Sequence, residues 1–135
     1  MTAFDLHERL AGDTLFLADL ELSAVRLMNE RTWPWLILIP RRAGVVQISE
    51  LDPRDRVQLI EEVAQAETAM QRLFRPDRIN VGALGNLVPQ LHVHVVARFR
   101  SDPAWPRPVW GAKLRDPYPP AAAEDMIRRC AAALV

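Results

Sequence analysis

The chain has 135 residues, half of them hydrophobic and a quarter charged, a balance that fits one globular domain able to bury a core without disulfides or metals. Its 17 basic and 17 acidic side chains cancel, which excludes a whole-protein field drawing it to nucleic acid, a membrane surface or an acidic partner. The one cysteine, Cys130, has no internal disulfide partner. Asp5, Glu8, Arg9, Asp13, Asp19 and Glu21 interrupt the N-terminal stretch too often for a signal-peptide core or a membrane span, so the expectation is a cytoplasmic protein.

Residues 4–10, with apolar Phe4, Leu6 and Leu10, predict a short helix that stops before Gly12. His7 lies in it outside any motif and is expected to be solvated or locally satisfied. Residues 14–20 and 23–28 read as two strands of a hairpin, residues 29–34 as the following turn, and residues 35–39 as an apolar central strand closed by Pro40. Arg41 and Arg42 follow directly. A long helix then starts at a legible cap: Asp52 caps, Pro53 suits the first helical position and Asp55 favours the N-terminus. Leu59, Ile60, Val63, Ala66, Met70, Leu73 and Phe74 recur at three and four residue steps, with Glu61, Glu62, Gln65, Thr68 and Arg72 opposite, so the first set is expected to cover the sheet before Pro76 ends the helix. Residues 78–81 form a fourth strand, 82–89 a loop with two glycines, and 90–99 the fifth strand. The prolines between Pro103 and Pro120 predict an irregular segment. A last helix over residues 121–134 has Met126, Ile127, Cys130 and Leu134 on one stripe. Strands, one long helix and two more strands describe a single α+β domain over 1–135, with its core at 14–110, a C-terminal extension at 111–135 and a mostly antiparallel sheet.

The chemistry concentrates in residues 86–98, N-L-V-P-Q-L-H-V-H-V-V-A-R. A side-chain period of two puts Gln90, His92, His94, Val96 and Arg98 on one face and Leu91, Val93, Val95 and Ala97 on the face buried against a helix. Two imidazoles at i and i+2 can be a metal pair, but no nearby His, Cys, Asp or Glu supplies a third ligand: Asp102 is past the strand and His7 is remote. They can also be a plain solvated strand face. The third reading draws on Gly85 and Asn86 in the preceding loop, whose backbone N–H groups can approach an anion. One histidine can then attack phosphorus while the next holds a proton or a nonbridging oxygen, which means phosphoryl or nucleotidyl transfer.

Gln90-Leu91-His92-Val93-His94-Val95-Val96 resembles the histidine triad signature, three histidines alternating with hydrophobic residues, with Gln90 in the first histidine's place. The hairpin, the strand ending in Pro40, the capped helix, and Asn80 and Gly85 come in that family's order, so the resemblance covers residues 14–110. It implies an α+β HIT-like fold of about five mostly antiparallel strands under one long helix, with short terminal helices. It also implies a nucleotide hydrolase or nucleotidyl transferase acting on a nucleoside phosphoramidate or dinucleoside polyphosphate without a cofactor or metal. His92 matches the nucleophile that forms a nucleotidyl-histidine intermediate, and His94 the histidine that holds phosphate oxygens. Gln90 takes the position that supports the phosphate region or leaving group. Asn29 matches the residue that holds the ribose hydroxyls, Asn80 an asparagine near the phosphates, and Asn86 a donor that meets them. The implied partners are a purine nucleotide or its conjugate and a second copy of the chain as a homodimer, with no nucleic acid and no membrane.

Two departures bear on turnover. Gln90 cannot ionise, although its amide can donate, and Leu87 stands where many members of that family carry Ser or Thr against the α-phosphate or leaving group. The corresponding alternative is a nucleotide-binding protein with little or no catalysis. Trp33 and Trp35 flank Pro34 near Asn29 as candidates for base stacking. The segment from Trp105 to Trp110 is expected to pin a loop over the core, or to pack near the nucleotide site or a partner subunit. Arg98 and Arg100 extend the histidine face as solvated charges or as contacts to distal phosphates.

Overall fold

The computed structural model describes residues 3–113 and 115–135. Its elements are α1 (Glu8–Asp13), β1 (Thr14–Asp19), β2 (Ser23–Met28), β3 (Trp35–Pro40), α2 (Pro53–Phe74), β4 (Arg78–Gly82), β5 (Val93–Arg98) and α3 (Pro120–Ala133). One sheet holds the strands in the order β1-β2-β3-β5-β4, and every neighbouring pair is antiparallel. β3 is therefore central, and all six of its residues are buried, as a continuous apolar run requires.

Each inner strand divides its side chains between two clusters. Leu36 and Leu38 of β3, with Leu91, Val93, Val95 and Ala97 along the last strand, meet Leu59, Val63, Ala66 and Met70 of α2 and Cys130 and Leu134 of α3. Trp35, Ile37 and Ile39, with Val96 of β5, meet Leu10, Trp33, Val88, Ala104 and Val109 on the other face. The period of two expected at β5 holds, but the histidine side of the sheet is covered as well.

Helix α2 starts as its sequence predicts. Asp52 accepts a hydrogen bond from the Asp55 N–H at 3.0 Å and Pro53 opens the first turn; Arg75 closes the helix in the left-handed region (φ 47°), just before Pro76. Its apolar stripe needs a correction. Ile60 is 61% exposed, whereas Glu62 is buried at 1%. The Glu62 carboxylate faces the β1–β2 turn and accepts from the Leu22 and Ser23 N–H groups at 2.7 and 3.0 Å and from Gln58 Nε2 at 2.9 Å. Backbone donors at the tip of a buried hairpin need acceptors, and the helix supplies one by turning a carboxylate inward.

Three boundaries also differ from expectation. Residues 4–7 are not helical; α1 starts after His7, whose Nδ1 accepts from the Arg9 N–H at 3.0 Å, and it runs through Gly12 to Asp13. β5 starts at Val93 rather than at residue 90: Val93 opposite Leu38 is the last pair of the β3–β5 ladder, β4 ends opposite His94, and the Leu91 N–H donates to the Val45 carbonyl at 3.0 Å instead. Arg98 is a buried ion pair rather than a solvated charge or a phosphate contact. Its Nε and Nη2 donate to the two oxygens of Asp102 at 2.9 and 3.1 Å, and Nη1 donates to Asn80 Oδ1 at 2.8 Å. Arg100 remains exposed.

Glu62→Ala should lower the urea unfolding free energy by about 3 kcal/mol, since two buried N–H groups lose their acceptor, and Glu62→Gln should cost less by keeping one carbonyl oxygen there. A loss of under about 1 kcal/mol for the alanine variant would mean that the hairpin N–H groups find other partners.

Candidate active site

His92 precedes β5 and His94 lies within it, so strand geometry carries both rings to the same side, with centroids 5.0 Å apart and planes at 67°. Both are more than nine-tenths buried. His92 Nδ1 lies 2.6 Å from the backbone oxygen of Gln90. A carbonyl can only accept, so the neutral ring carries its proton on Nδ1 and leaves the Nε2 lone pair bare. His94 is arranged in reverse: Trp35 Nε1–H donates to its Nδ1 at 3.0 Å, which leaves the proton on Nε2. One imidazole can act as a nucleophile or acceptor and the next as a donor.

Both rings line a cavity of about 470 Å³. Its walls come from Arg9, Leu10, Asp13 and Thr14 at one end, Met28, Trp35 and Ile37 on the sheet, residues 84–88 of the loop before His92, and Val109 and Trp110 of the returning C-terminal segment. Gly85 adopts φ +73°, a conformation L side chains rarely take, and so permits the loop's turn over the histidines. Leu87 is 75% exposed on the same wall and offers no hydrogen-bond donor from its side chain. Trp110 closes the far side. Its indole stands edge-on to His94 at 5.5 Å and leaves no room for a side chain at Gly82, where a Cβ would come within 2.9 Å of the ring.

His92, His94, Gly85 and Asn86 therefore share one cavity with Leu87, Trp35 and Trp110, whereas Gln90, Asn80 and Asn29 lie outside its lining. Gln90 Nε2 donates to the Asp5 carbonyl at 2.8 Å while its Oε1 accepts from the His7 N–H at 2.8 Å, so the amide clamps the N-terminal segment. Asn80 is engaged by Arg98. Asn29 lines an adjoining cavity of about 270 Å³ that shares Asp13, Met28 and Trp35 with the first, and its Oδ1 accepts from the Tyr118 N–H at 2.9 Å. Arg9, Asp13 and Thr14 were not singled out as site residues from the sequence, and Trp35, a base-stacking candidate there, is instead a hydrogen-bond donor to His94. Their positions depend on α1 crossing the end of the sheet and on β3 lying beside β5, and no local spacing encodes either. Among the described residues no three His, Cys, Asp or Glu side chains gather as a metal-ligand set, and no helix is long and apolar enough to cross a membrane.

The sequence model described as "HIT domain" matches residues 11–101, well over half of the chain. The chain belongs to the HIT family. A histidine triad protein from Bradyrhizobium japonicum superposes with a TM-score of 0.96 at 40% identity, over 99% of this chain and 100% of that one. A histidine triad protein from Marinobacter aquaeolei VT8 gives a TM-score of 0.96 at 44% identity, over 98% and 97% of the two chains. In the curated bis(5'-nucleosyl)-tetraphosphatase [asymmetrical] of Schizosaccharomyces pombe, a 72-residue stretch is 28% identical, covering 50% of this chain and 39% of that protein. The HIT fold, with its five-stranded antiparallel sheet, long α2 and short terminal helices, is thus the one observed.

Burial first, and then the neighbouring His92, push His94 down from the ordinary imidazole value of 6.5 to about 4. Because the folded value lies below the unfolded one, the unfolded chain takes up the proton first. The contribution of neutral His94 to stability is complete above 6.5 and is lost as pH falls from there toward 4. In urea titrations the protein should be on the order of 2 kcal/mol less stable at about pH 5 than at about pH 8, and His94→Asn should remove most of that difference.

Proposed function

We propose that this HIT protein is a nucleotide-binding hydrolase or nucleotidyl transferase that works at the α-phosphate of a nucleoside phosphoramidate or dinucleoside polyphosphate. The observation that carries the reading is the bare Nε2 of His92, held facing a cavity by the bond from Nδ1–H to the Gln90 carbonyl. His92 Nε2 attacks phosphorus, and the bond from phosphorus to the amine or phosphate leaving group breaks with its electron pair, an amine taking up a proton from solvent as it departs and the later water attack returning one. The positive charge that develops on the ring is stabilised by the Gln90 carbonyl. His94 Nε2–H donates to a nonbridging oxygen, and the N–H groups around Gly85 and Asn86 are the backbone donors available on the same wall. Water then cleaves the nucleotidyl-histidine and restores the enzyme.

Charge favours the phosphoramidate. Arg9 is the sole cationic side chain among the described residues lining the cavity, and its Nε is 3.9 Å from Asp13, whereas a polyphosphate bridge brings several negative charges. The Schizosaccharomyces pombe relative keeps the dinucleoside polyphosphate as the second substrate class to test. Asn29, beside the main cavity, is proposed to meet the ribose, and the nucleotide a purine nucleotide or its conjugate. Asn80, engaged by Arg98, is proposed to reach the phosphates only indirectly, through the position of that strand. A cytoplasmic homodimer completes the reading; β4 is an edge strand with Val81 45% exposed, and light scattering tests the assembly. The chain's formal net charge of zero supports no role in nucleic-acid binding.

A second reading, a nucleotide-binding protein with little or no catalysis, is favoured by two residues. Leu87 presents no hydroxyl to the leaving group, and the Gln90 amide is occupied by Asp5 and His7. Mass spectrometry after brief incubation with adenosine and guanosine phosphoramidates separates the two. A nucleoside monophosphate adduct on His92 supports transfer, and binding by calorimetry without any adduct supports the second reading. His92→Ala should lower turnover by on the order of 10³-fold or more with the fold retained, and undiminished activity would remove His92 from the chemistry. Leu87→Ser should raise the rate by on the order of 10-fold or more if the missing donor limits cleavage.

A further inference from the structure

His94 sits between two indoles. Trp110 meets it edge-on at 5.5 Å, and Trp35 lies tilted on its other flank at 5.7 Å. The indole N–H groups of Trp33 and Trp110 are buried without a hydrogen-bond partner among the described residues, whereas Trp35 gives its own to His94 Nδ1 at 3.0 Å. This aim is built into the sheet. Ile37 pairs with His94 and Trp35 with Val96 in the β3–β5 register, so Trp35 is the diagonal neighbour of His94 on the same face. Trp35 is 8% exposed and held edge-to-face by Trp33 at 6.2 Å, so its indole has little freedom to turn away.

We propose that Trp35 is a positioning residue that holds His94 as its neutral Nε2–H tautomer, and thereby settles which of the two cavity histidines attacks and which donates. An indole can only donate, so a proton on Nδ1 would set two N–H groups against each other. That disfavours both the other tautomer and the imidazolium. The bond also keeps the Nε2 of His94 capped by a proton, so it cannot compete with His92 for phosphorus. The consequence for the reaction rests on the nucleotidyl transfer proposed above; the tautomer itself does not.

The test is long-range ¹H–¹⁵N correlation of the histidine rings across a pH titration, in the unmodified protein and in Trp35→Phe, which keeps an aromatic ring and removes the donor. The ionisable groups facing His94 are His92 on its own strand segment and Arg9 and Asp13 of α1 across the cavity, and the substitution alters none of them. The unmodified protein should show His94 with Nε2 protonated, opposite to His92, and the Trp35 indole signal should move as His94 titrates. In Trp35→Phe the two tautomers of His94 should mix and its midpoint should rise by about half to one pH unit, while His92 keeps its Nδ1 proton. A merely structural tryptophan would lower the melting temperature and leave the His94 tautomer and midpoint where they were, which would overturn the proposal. So would Nδ1–H on His94 in the unmodified protein, a result that stands even if the variant does not fold. With a phosphoramidate that the unmodified protein turns over, Trp35→Phe should lower kcat about fivefold with KM little changed. Absence of turnover in the unmodified protein counts against nucleotidyl transfer alone, and the ring spectra still decide the tautomer.

Discussion

The arrangement of the histidine side depends on the ion pair between Arg98 and Asp102. Both side chains are almost wholly buried, and the pair stands at the point where β5 stops and the chain turns back over its own sheet. Asp102 is saturated: besides the guanidinium it accepts from the N–H groups of Phe99, Ala104 and Trp105. Burial raises the affinity of its carboxyl for a proton, but the Arg98 and backbone hydrogen bonds outweigh that and hold it below the usual carboxylate range. A buried pair with one member removed costs about 3–5 kcal/mol, because the survivor is left as an uncompensated charge. Satisfied on every side, it fixes a tight turn at the end of the strand, with Trp105 stacked near the guanidinium at 5.8 Å.

From that turn the following residues bring Val109 and Trp110 back across β5, and this converts a bare strand face into a cavity wall. Glu30 ties the segment down further along by accepting from Thr32 and from the Asp116 N–H, and Asn29 accepts from the Tyr118 N–H. The interior so formed is dry enough to push His94 down to about 4, chiefly by burial. In such surroundings each hydrogen bond to an imidazole has more influence on where its proton sits than it would have in water. Two bonds, one from His92 to a carbonyl and one from an indole to His94, accordingly set opposite proton positions on neighbouring rings.

Gln90 and Leu87, the two positions read from the sequence as departures from the histidine triad pattern, each have a physical setting in the structure. The Gln90 amide joins the N-terminal segment to the strand entry, a structural use for a side chain that cannot ionise. Leu87 leaves an apolar surface at the mouth of the cavity, beside the half-exposed Leu84. The cavity wall around the imidazoles thus offers ring nitrogens and backbone more than cations, with Arg9 the sole Lys or Arg side chain among the described lining residues.

The elements were largely legible from residue order, because their signals are local. Asp52 and Pro53 start a helix by capping and ring geometry, an apolar run closed by Pro40 makes a buried strand, and alternation from Leu91 onward separates a helix-facing set from a histidine-facing one. The same alternation placed His92 and His94 together. What it left open was everything decided by contact between distant segments. Glu62 sits at a position that periodicity assigns to solvent, and only the hairpin packed above it explains why a carboxylate turns inward. Arg98 reads as a strand-end charge until Asp102 and Asn80 surround it. Local sequence thus determined the elements and the facing of the two imidazoles, since backbone geometry repeats every two or every 3.6 residues. The tertiary structure alone decided which nitrogen of His94 holds its proton, since its partner, an indole on another strand, is set by register and burial.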